Sequence, residues 1–237
     1  MNLVLCELAD ASAFGVPSLS PFCLKAHAAL RFARLPYERR HAERPDAWRA
    51  HNPTGQVPVL LDGGRPVADS TAIVRRVLEL APGALGASPE AWLYEELADT
   101  AINGFLVAAR WADDENWPRT CDAYFSAMPA PIRWVVPGML RRGVLASLGA
   151  RDVWRAGAGA CWDRFERLLD QLDGRAPAAG FWCGDGPSVA DVGLYGQLRS
   201  FGTSLTPRQA AAVQARPRLA GWLARVERAS TELSLAA

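Results

Sequence analysis

The sequence predicts two domains, an α+β domain with a mixed four-stranded sheet in the order β-α-β-α-β-β-α and an all-helical bundle after it. Three observations carry this. Short β-branched and apolar runs are confined to the stretch before Leu80, and a glycine turn joins two of them into a hairpin. From Glu90 onward strand signals give way to apolar stripes at helical spacing.

Taken in order, Leu3 to Leu8 reads as a buried strand, and a small-residue loop with Gly15 and Pro17 follows. Ser20 is a good N-cap with Pro21 at the favoured first helical position, and Phe22, Ala26, Ala29, Leu30 and Ala33 share one face. Pro36-Tyr37 starts a second strand to about His41, and Pro45 to Ala50 is expected to form a short helix ended by Asn52-Pro53-Thr54-Gly55. Val57 to Asp62 and Arg65 to Ala68 are two strands around Gly63-Gly64, and Pro58 falls within the first, where a cis Val-Pro bond is plausible. Asp69-Ser70 then precede the apolar pattern Ile73, Val74, Val77, Leu78 and Leu80, so they stand at a helix N-terminus. A strand-helix-strand crossover followed by a hairpin gives a mixed sheet with helices on both faces.

Prolines and glycines between Ala81 and Pro89 mark the domain boundary. The expected division is 1–82, a linker 83–89, and a helical domain 90–237. Ala91 to Trp111 is a long helical pattern, and the prolines and glycine between Thr120 and Ala150 predict short or kinked helices. Asp152 to Leu172 carries a further apolar stripe. Ser188, with Asp191 three positions on, is a capping-box signature for a helix to about Leu198.

The chain has 237 residues, half of them hydrophobic, and a formal net charge of +1, which gives ample core and no basic footprint for nucleic acid. No apolar run approaches a membrane span, and the N-terminal residues lack a basic region before their short apolar run; a cytoplasmic location is the expectation. Five irregularly spaced cysteines fit neither a disulfide framework nor a zinc site, and no metal is expected.

An open backbone edge at Val57, a helix N-terminus at Asp69-Ser70 and the amide of Gln56 suit a short extended peptide with a free carboxylate. The same residues also read as a strand, a turn and a capped helix with no ligand. The ordered set Asn52-Pro53-Thr54-Gly55-Gln56-Val57-Pro58-Val59-Leu60, then Asp69-Ser70-Thr71-Ala72-Ile73, strongly resembles the glutathione-binding half of the glutathione transferase superfamily. Its first domain has the thioredoxin-like order. Gly186 to Leu198 and Pro217 to Leu223 resemble parts of the family's helical domain.

The resemblance implies glutathione as co-substrate, with the Val57 backbone (before Pro58) pairing with the cysteinyl unit. Asp69 and Ser70 hold the γ-glutamyl end, and Gln56 lies near the glycyl end, with Arg49 and His51 as possible further contacts there. Asp69 stands where the family more often has Glu, one methylene longer, which leaves room for a bridging water. Ser20 and Cys23 read as a C-x-x-C motif with its first cysteine replaced, at the position where thioredoxin-like folds place their reactive group. Ser20, as in serine-type members, would donate a hydroxyl to the glutathione thiolate. Cys23 would instead make the protein a glutathione-dependent thiol-disulfide oxidoreductase.

Trp111 and Trp117, flanking a polar break, are the candidates for a pocket that takes a small hydrophobic electrophile. The resemblance further implies a detoxifying transferase and a homodimer, for which Ala91 to Trp111 is a candidate packing surface. The run from Pro17 to Lys25 is also similar to the metaxin and failed-axon-connections branch, which makes a non-catalytic binding or scaffold protein the alternative.

Overall fold

The computed structural model describes residues 2–42, 46–151 and 153–235, without the side chains of 151 and 232–235. Its strands are β1 (Leu3–Glu7), β2 (Tyr37–His41), β3 (Val59–Asp62) and β4 (Arg65–Ala68), in the sheet order β2-β1-β3-β4. β1 and β2 are parallel and the other two pairings antiparallel, which is the mixed sheet expected. Asp62 pairs with Arg65 across Gly63 and Gly64, whose φ values of 57° and 90° are the positive pair that a tight hairpin turn requires.

Helices α1 (Pro21–Phe32) and α2 (Ser70–Leu80) belong with this sheet. Two details differ from expectation. Pro58 precedes β3 rather than lying within it, since it has no N–H to give a ladder. Residues 46–51 form hydrogen-bonded turns rather than a helix, because the Asn52 turn ends the segment after a single Trp48-to-Asn52 helical bond; Pro45 lies outside the described residues.

Helical structure then runs from α3 (Pro89–Leu97) through α4 (Asn103–Val107) to Ala112, with π-type turns at Ala98–Ile102 and Ala108–Ala112. The proline-rich region holds one short helix, α5 (Trp117–Phe125), and one long one, α6 (Ala130–Arg151), which runs 22 residues through Pro137 instead of breaking into the short or kinked helices expected. α7 (Gly157–Arg175), α8 (Val189–Phe201), α9 (Pro207–Gln214) and α10 (Pro217–Leu235) complete the helical part. Asp152, at the expected start of α7, lies outside the described residues. None of the helices among the described residues is long and apolar enough to cross a membrane.

The chain divides into two compact units. One holds residues 1–99, 177–200 and 221–237, and the other 100–176 and 201–220. In the first unit α1 is buried nearly all round, not on one face as its pattern predicts, because α8 covers the side away from the sheet. A Cβ on Gly196 would stand 2.6 Å from the Pro21 carbonyl, so only glycine allows this approach, and one on Gly193 would stand 3.1 Å from Glu95 Cα, a tight contact. Half of the capping box at Ser188 forms: Asp191 accepts from the Ser188 N–H and hydroxyl at 2.9 and 2.6 Å, and also from the Trp182 N–H and the Trp222 indole, while the Asp191 N–H goes to the Ser188 carbonyl rather than to its hydroxyl. In the second unit Phe105, Phe165 and Phe201 stack in sequence, and Asn116 ties to Gln209 at 3.0 Å.

Candidate functional site

Two helix N-termini and one loop meet in the first unit. Ser20 caps α1, its Oγ accepting from the Cys23 N–H at 3.4 Å, and Phe22 projects from the first turn of that helix. Asp69 caps α2, its Oδ1 accepting from the Thr71 and Ala72 N–H groups at 2.9 and 3.0 Å. The Asp69 carbonyl takes the Ile73 N–H, which leaves the Ser70 N–H as the donor of that turn without a partner among the described residues. Asp69 holds φ at 81°, a conformation that costs a non-glycine residue about 1–3 kcal/mol and recurs at ligand clamps.

The third component is the loop from Asn52 to Pro58. Asn52 donates its amide to the Gln56 carbonyl at 2.9 Å and accepts from the Thr54 N–H and hydroxyl, which folds the loop onto itself. The Val57–Pro58 bond is cis. Between these parts lies a cavity of about 310 Å³, a size that suits a small ligand. Gln56, Val57, Pro58, Asp69 and Ser70, all named from the sequence, line it. So do Phe22, Asn52, Thr54 and Ala68, which the sequence reading did not assign; the Asx-turn string Asn-Pro-Thr-Gly was the available signal for Asn52 and Thr54.

The remaining candidates fall elsewhere. Ser20 is half-buried and is not a wall of that cavity. Cys23 is fully buried, and burial followed by the charge of Glu7 pushes its thiol up to about 12. Arg49 is exposed and His51 half-buried, its ring tilted against Trp48; neither lines the cavity. In the second unit Trp111 and Trp117 pack together with ring centroids 5.5 Å apart, joined by Tyr124 and Phe125.

Two buried charge clusters hold this geometry. Lys25, fully buried in α1, reaches Thr71 at the start of α2 (2.9 Å), Asp99 (2.6 Å) and Glu95 in α3, and Gln197 of α8 supports Asp99. Burial raises the Asp99 carboxyl against the pull of Lys25.

The second cluster lies under the loop that leads into Ser20. Glu7, at the end of β1, accepts from Arg39 at 2.7 Å and from His27 Nε2 at 3.2 Å, and Arg39 also holds the Pro17 carbonyl at 2.7 Å. Burial lowers His27, so its neutral ring donates to Glu7 through Nε2 and accepts the Tyr37 hydroxyl (2.7 Å) at Nδ1. Burial alone would raise Glu7, but the hydrogen bond from His27 and the hydrogen bond and charge of Arg39 outweigh it and hold the carboxyl below the ordinary glutamate range.

Residues 19–80 match the glutathione S-transferase N-terminal domain and residues 141–225 the glutathione S-transferase C-terminal domain, together more than half of the chain. The chain belongs to the glutathione S-transferase superfamily. It is 27% identical over 186 residues to a probable glutathione S-transferase of Oryza sativa subsp. japonica, covering 77% of this chain and 69% of that one. It is 23% identical over 228 residues to the isoprene-epoxide glutathione S-transferase of Rhodococcus sp. (strain AD45), covering 91% and 94%. Among solved structures its fold is similar to a glutathione S-transferase of Ceriporiopsis subvermispora in complex with glutathione (TM-score 0.63, 19% identity, 96% and 97% covered). It is also similar to the beta-etherase LigF of Sphingobium sp. strain SYK-6 (TM-score 0.62, 18% identity, both chains fully covered).

Two predictions follow from the clusters. Lys25→Met leaves Glu95 and Asp99 without their shared cation and is expected to cost about 3–5 kcal/mol; urea denaturation showing less than about 1 kcal/mol would contradict the assigned role. For Glu7 and His27 the unfolded chain binds protons more readily than the folded one. Stability is therefore full above the ordinary histidine value of 6.5 and declines as pH falls, first through His27 and then, below the ordinary glutamate value of 4.5, through Glu7. Glu7→Gln is expected to remove the lower limb of that decline and to cost about 1–3 kcal/mol at neutral pH; an unchanged acid limb in denaturation series at graded pH would refute it.

Proposed function

We propose that the protein is a glutathione S-transferase that directs the glutathione thiolate onto a small hydrophobic electrophile. One observation carries the proposal: Gln56, Val57, Pro58, Asp69 and Ser70 converge on a single cavity where a helix N-terminus meets an open stretch of backbone. In this reading the Val57 backbone pairs with the cysteinyl unit, and Gln56 takes the glycyl end, with Arg49 and His51 within its wider surroundings. The γ-glutamyl end brings a carboxylate and an ammonium. The unpartnered Ser70 N–H at the positive end of α2 suits the first. The exposed Asp69 carboxylate, whose Oδ1 is already committed to capping, suits the second directly or through water.

Ser20 is the proposed thiolate donor, as in serine-type members: it stands at the N-terminus of α1, where an anion is favoured. The buried, high-pKa thiol of Cys23 argues against the disulfide-exchange alternative. Trp111, Trp117 and the aromatic rings around them are proposed for the electrophile. The two relatives named as glutathione S-transferases support turnover, and the glutathione in the Ceriporiopsis structure supports that ligand. A detoxifying role, a cytoplasmic location, a homodimer and a domain boundary at 83–89 belong to the same proposal. A second reading, a non-catalytic scaffold akin to the metaxin and failed-axon-connections branch, draws on the placement of Ser20 outside the cavity wall and the shorter acidic residue at Asp69.

Conjugation to a dinitrohalobenzene separates these readings. Ser20→Ala is expected to lower turnover by about one to three orders of magnitude, some 1.4–4 kcal/mol of lost anion stabilisation, with little change in glutathione affinity, while Cys23→Ala stays near wild type. If Cys23→Ala instead abolishes glutathione-dependent disulfide exchange and Ser20→Ala costs only a helix cap, the oxidoreductase reading holds; wild-type protein that binds glutathione without turnover points to the scaffold.

A further inference from the structure

The surface of α6 is unlike the rest of the molecule. Six large hydrophobic side chains are exposed among the described residues, and five of them, Ile132, Trp134, Val135, Met139 and Leu140, fall within nine positions of this helix. Trp134 is 80% exposed, Val135 66% and Met139 58%, values that a folded surface rarely assigns to neighbouring apolar residues. Ile132, Val135, Met139, Gly143 and Ala146 recur at helical spacing and form one stripe, with an open apolar groove of about 550 Å³ along Val135, Met139 and Ala146. Leu140 flanks the stripe on one side, and Trp134, five positions before Met139, stands roughly 140° round the helix from it, so the indole is exposed beyond the stripe's edge.

The charge of the helix is as one-sided as its hydrophobicity. Residues 130–151 contain Arg133, Arg141, Arg142 and Arg151 and no acidic residue. Arg133 turns to Asp122 at 2.8 Å, and Arg141 turns to Asp114, the Trp111 carbonyl and the face of Trp117, which leaves Arg142 exposed within the stripe itself. A two-fold pairing of this stripe with its own copy would bury two Arg142 guanidiniums in an apolar seam to which α6 brings no carboxylate. A lipid surface makes the opposite demand: apolar side chains enter the acyl boundary, an indole sits at the headgroup level, and an arginine extends to phosphate.

We infer that α6 is a peripheral membrane-docking element, lying along an anionic lipid surface with Val135 and Met139 inserted and Trp134 and Arg142 at the headgroup level. The inference is independent of the proposed transferase activity. It is tested by co-sedimentation of the full chain with vesicles of phosphatidylcholine alone or with about 30% phosphatidylserine. The anionic vesicles are expected to bind the protein at least about tenfold more strongly at low salt, with the advantage shrinking as salt rises. The double variant Trp134→Ser/Met139→Ser should lose about tenfold or more in binding, and Arg142→Glu should lose binding to the anionic vesicles selectively, about fivefold. Because these side chains are exposed, both variants should keep the wild-type circular dichroism and melting temperature, which separates lost docking from lost folding. Protein that stays in the supernatant with both vesicles overturns the inference, as does a double variant that binds like wild type. So does light scattering that shows a dimer which the double variant converts to a monomer, since a second copy then covers the face.

Discussion

The position of Lys25 governs much of what the first unit can do. An ammonium buried without exposure is tolerated only where its donors are all met, and here they are met by Thr71, Glu95 and Asp99 on three different turns of helix. The interaction runs from the second turn of α1, just past the Ser20 cap, to the first turn of α2, just past the Asp69 cap. Two helix N-termini that are 49 positions apart in the sequence are thereby fixed relative to each other by one side chain and its partners. Gly196 serves the same end from α8, since any side chain there would push that helix off the Pro21 carbonyl and the backbone of Lys25, and Gly193 allows a tight approach to Glu95.

The two N-termini are arranged differently, and the difference has chemical content. At α2 the capping carboxylate uses two of the free N–H groups, and the chain bends through a strained φ at Asp69 to do so. A negative charge thus stands at the mouth of the cavity beside an unfilled Ser70 N–H, an arrangement that suits a zwitterion better than a simple anion. At α1 the cap is a neutral hydroxyl in a half-buried position, and the only nearby thiol is buried and protonated. The Glu7, His27 and Arg39 cluster stiffens the approach to that hydroxyl by holding Pro17, so the loop before Ser20 is tied to the end of β1.

The strands themselves, the hairpin turn, helix caps and the helical second half were legible because each rests on short-range rules: Gly63-Gly64 for the turn, Asp69 for the cap, Ser188 and Asp191 for the box. The five cavity-lining residues named from the sequence were legible because they lie within fifteen positions of one another. Phe22 and the Lys25 cluster were not, since their roles depend on helices that meet only in three dimensions; Lys25 looked like any lysine on a helix. The small-residue, near-continuous burial of α1 was misread as a single apolar face for the same reason, as no local pattern announces a helix that will cover the other side. Trp134 and Met139 passed unremarked in a proline-broken stretch whose periodicity is interrupted, and their exposure is a property of what does not pack against them.

The central claim is that the cavity beside Val57 and Ser70 holds glutathione with its sulfur near the positive end of α1. The ultraviolet absorbance of the thiolate, followed against pH for glutathione bound to the wild-type protein, tests it in one titration. The account predicts saturable binding and a bound thiol that ionises at least about one pH unit below free glutathione, worth about 1.4 kcal/mol of anion stabilisation. Bound glutathione whose thiol titrates as it does in water, or no saturable signal at millimolar concentration, would contradict it.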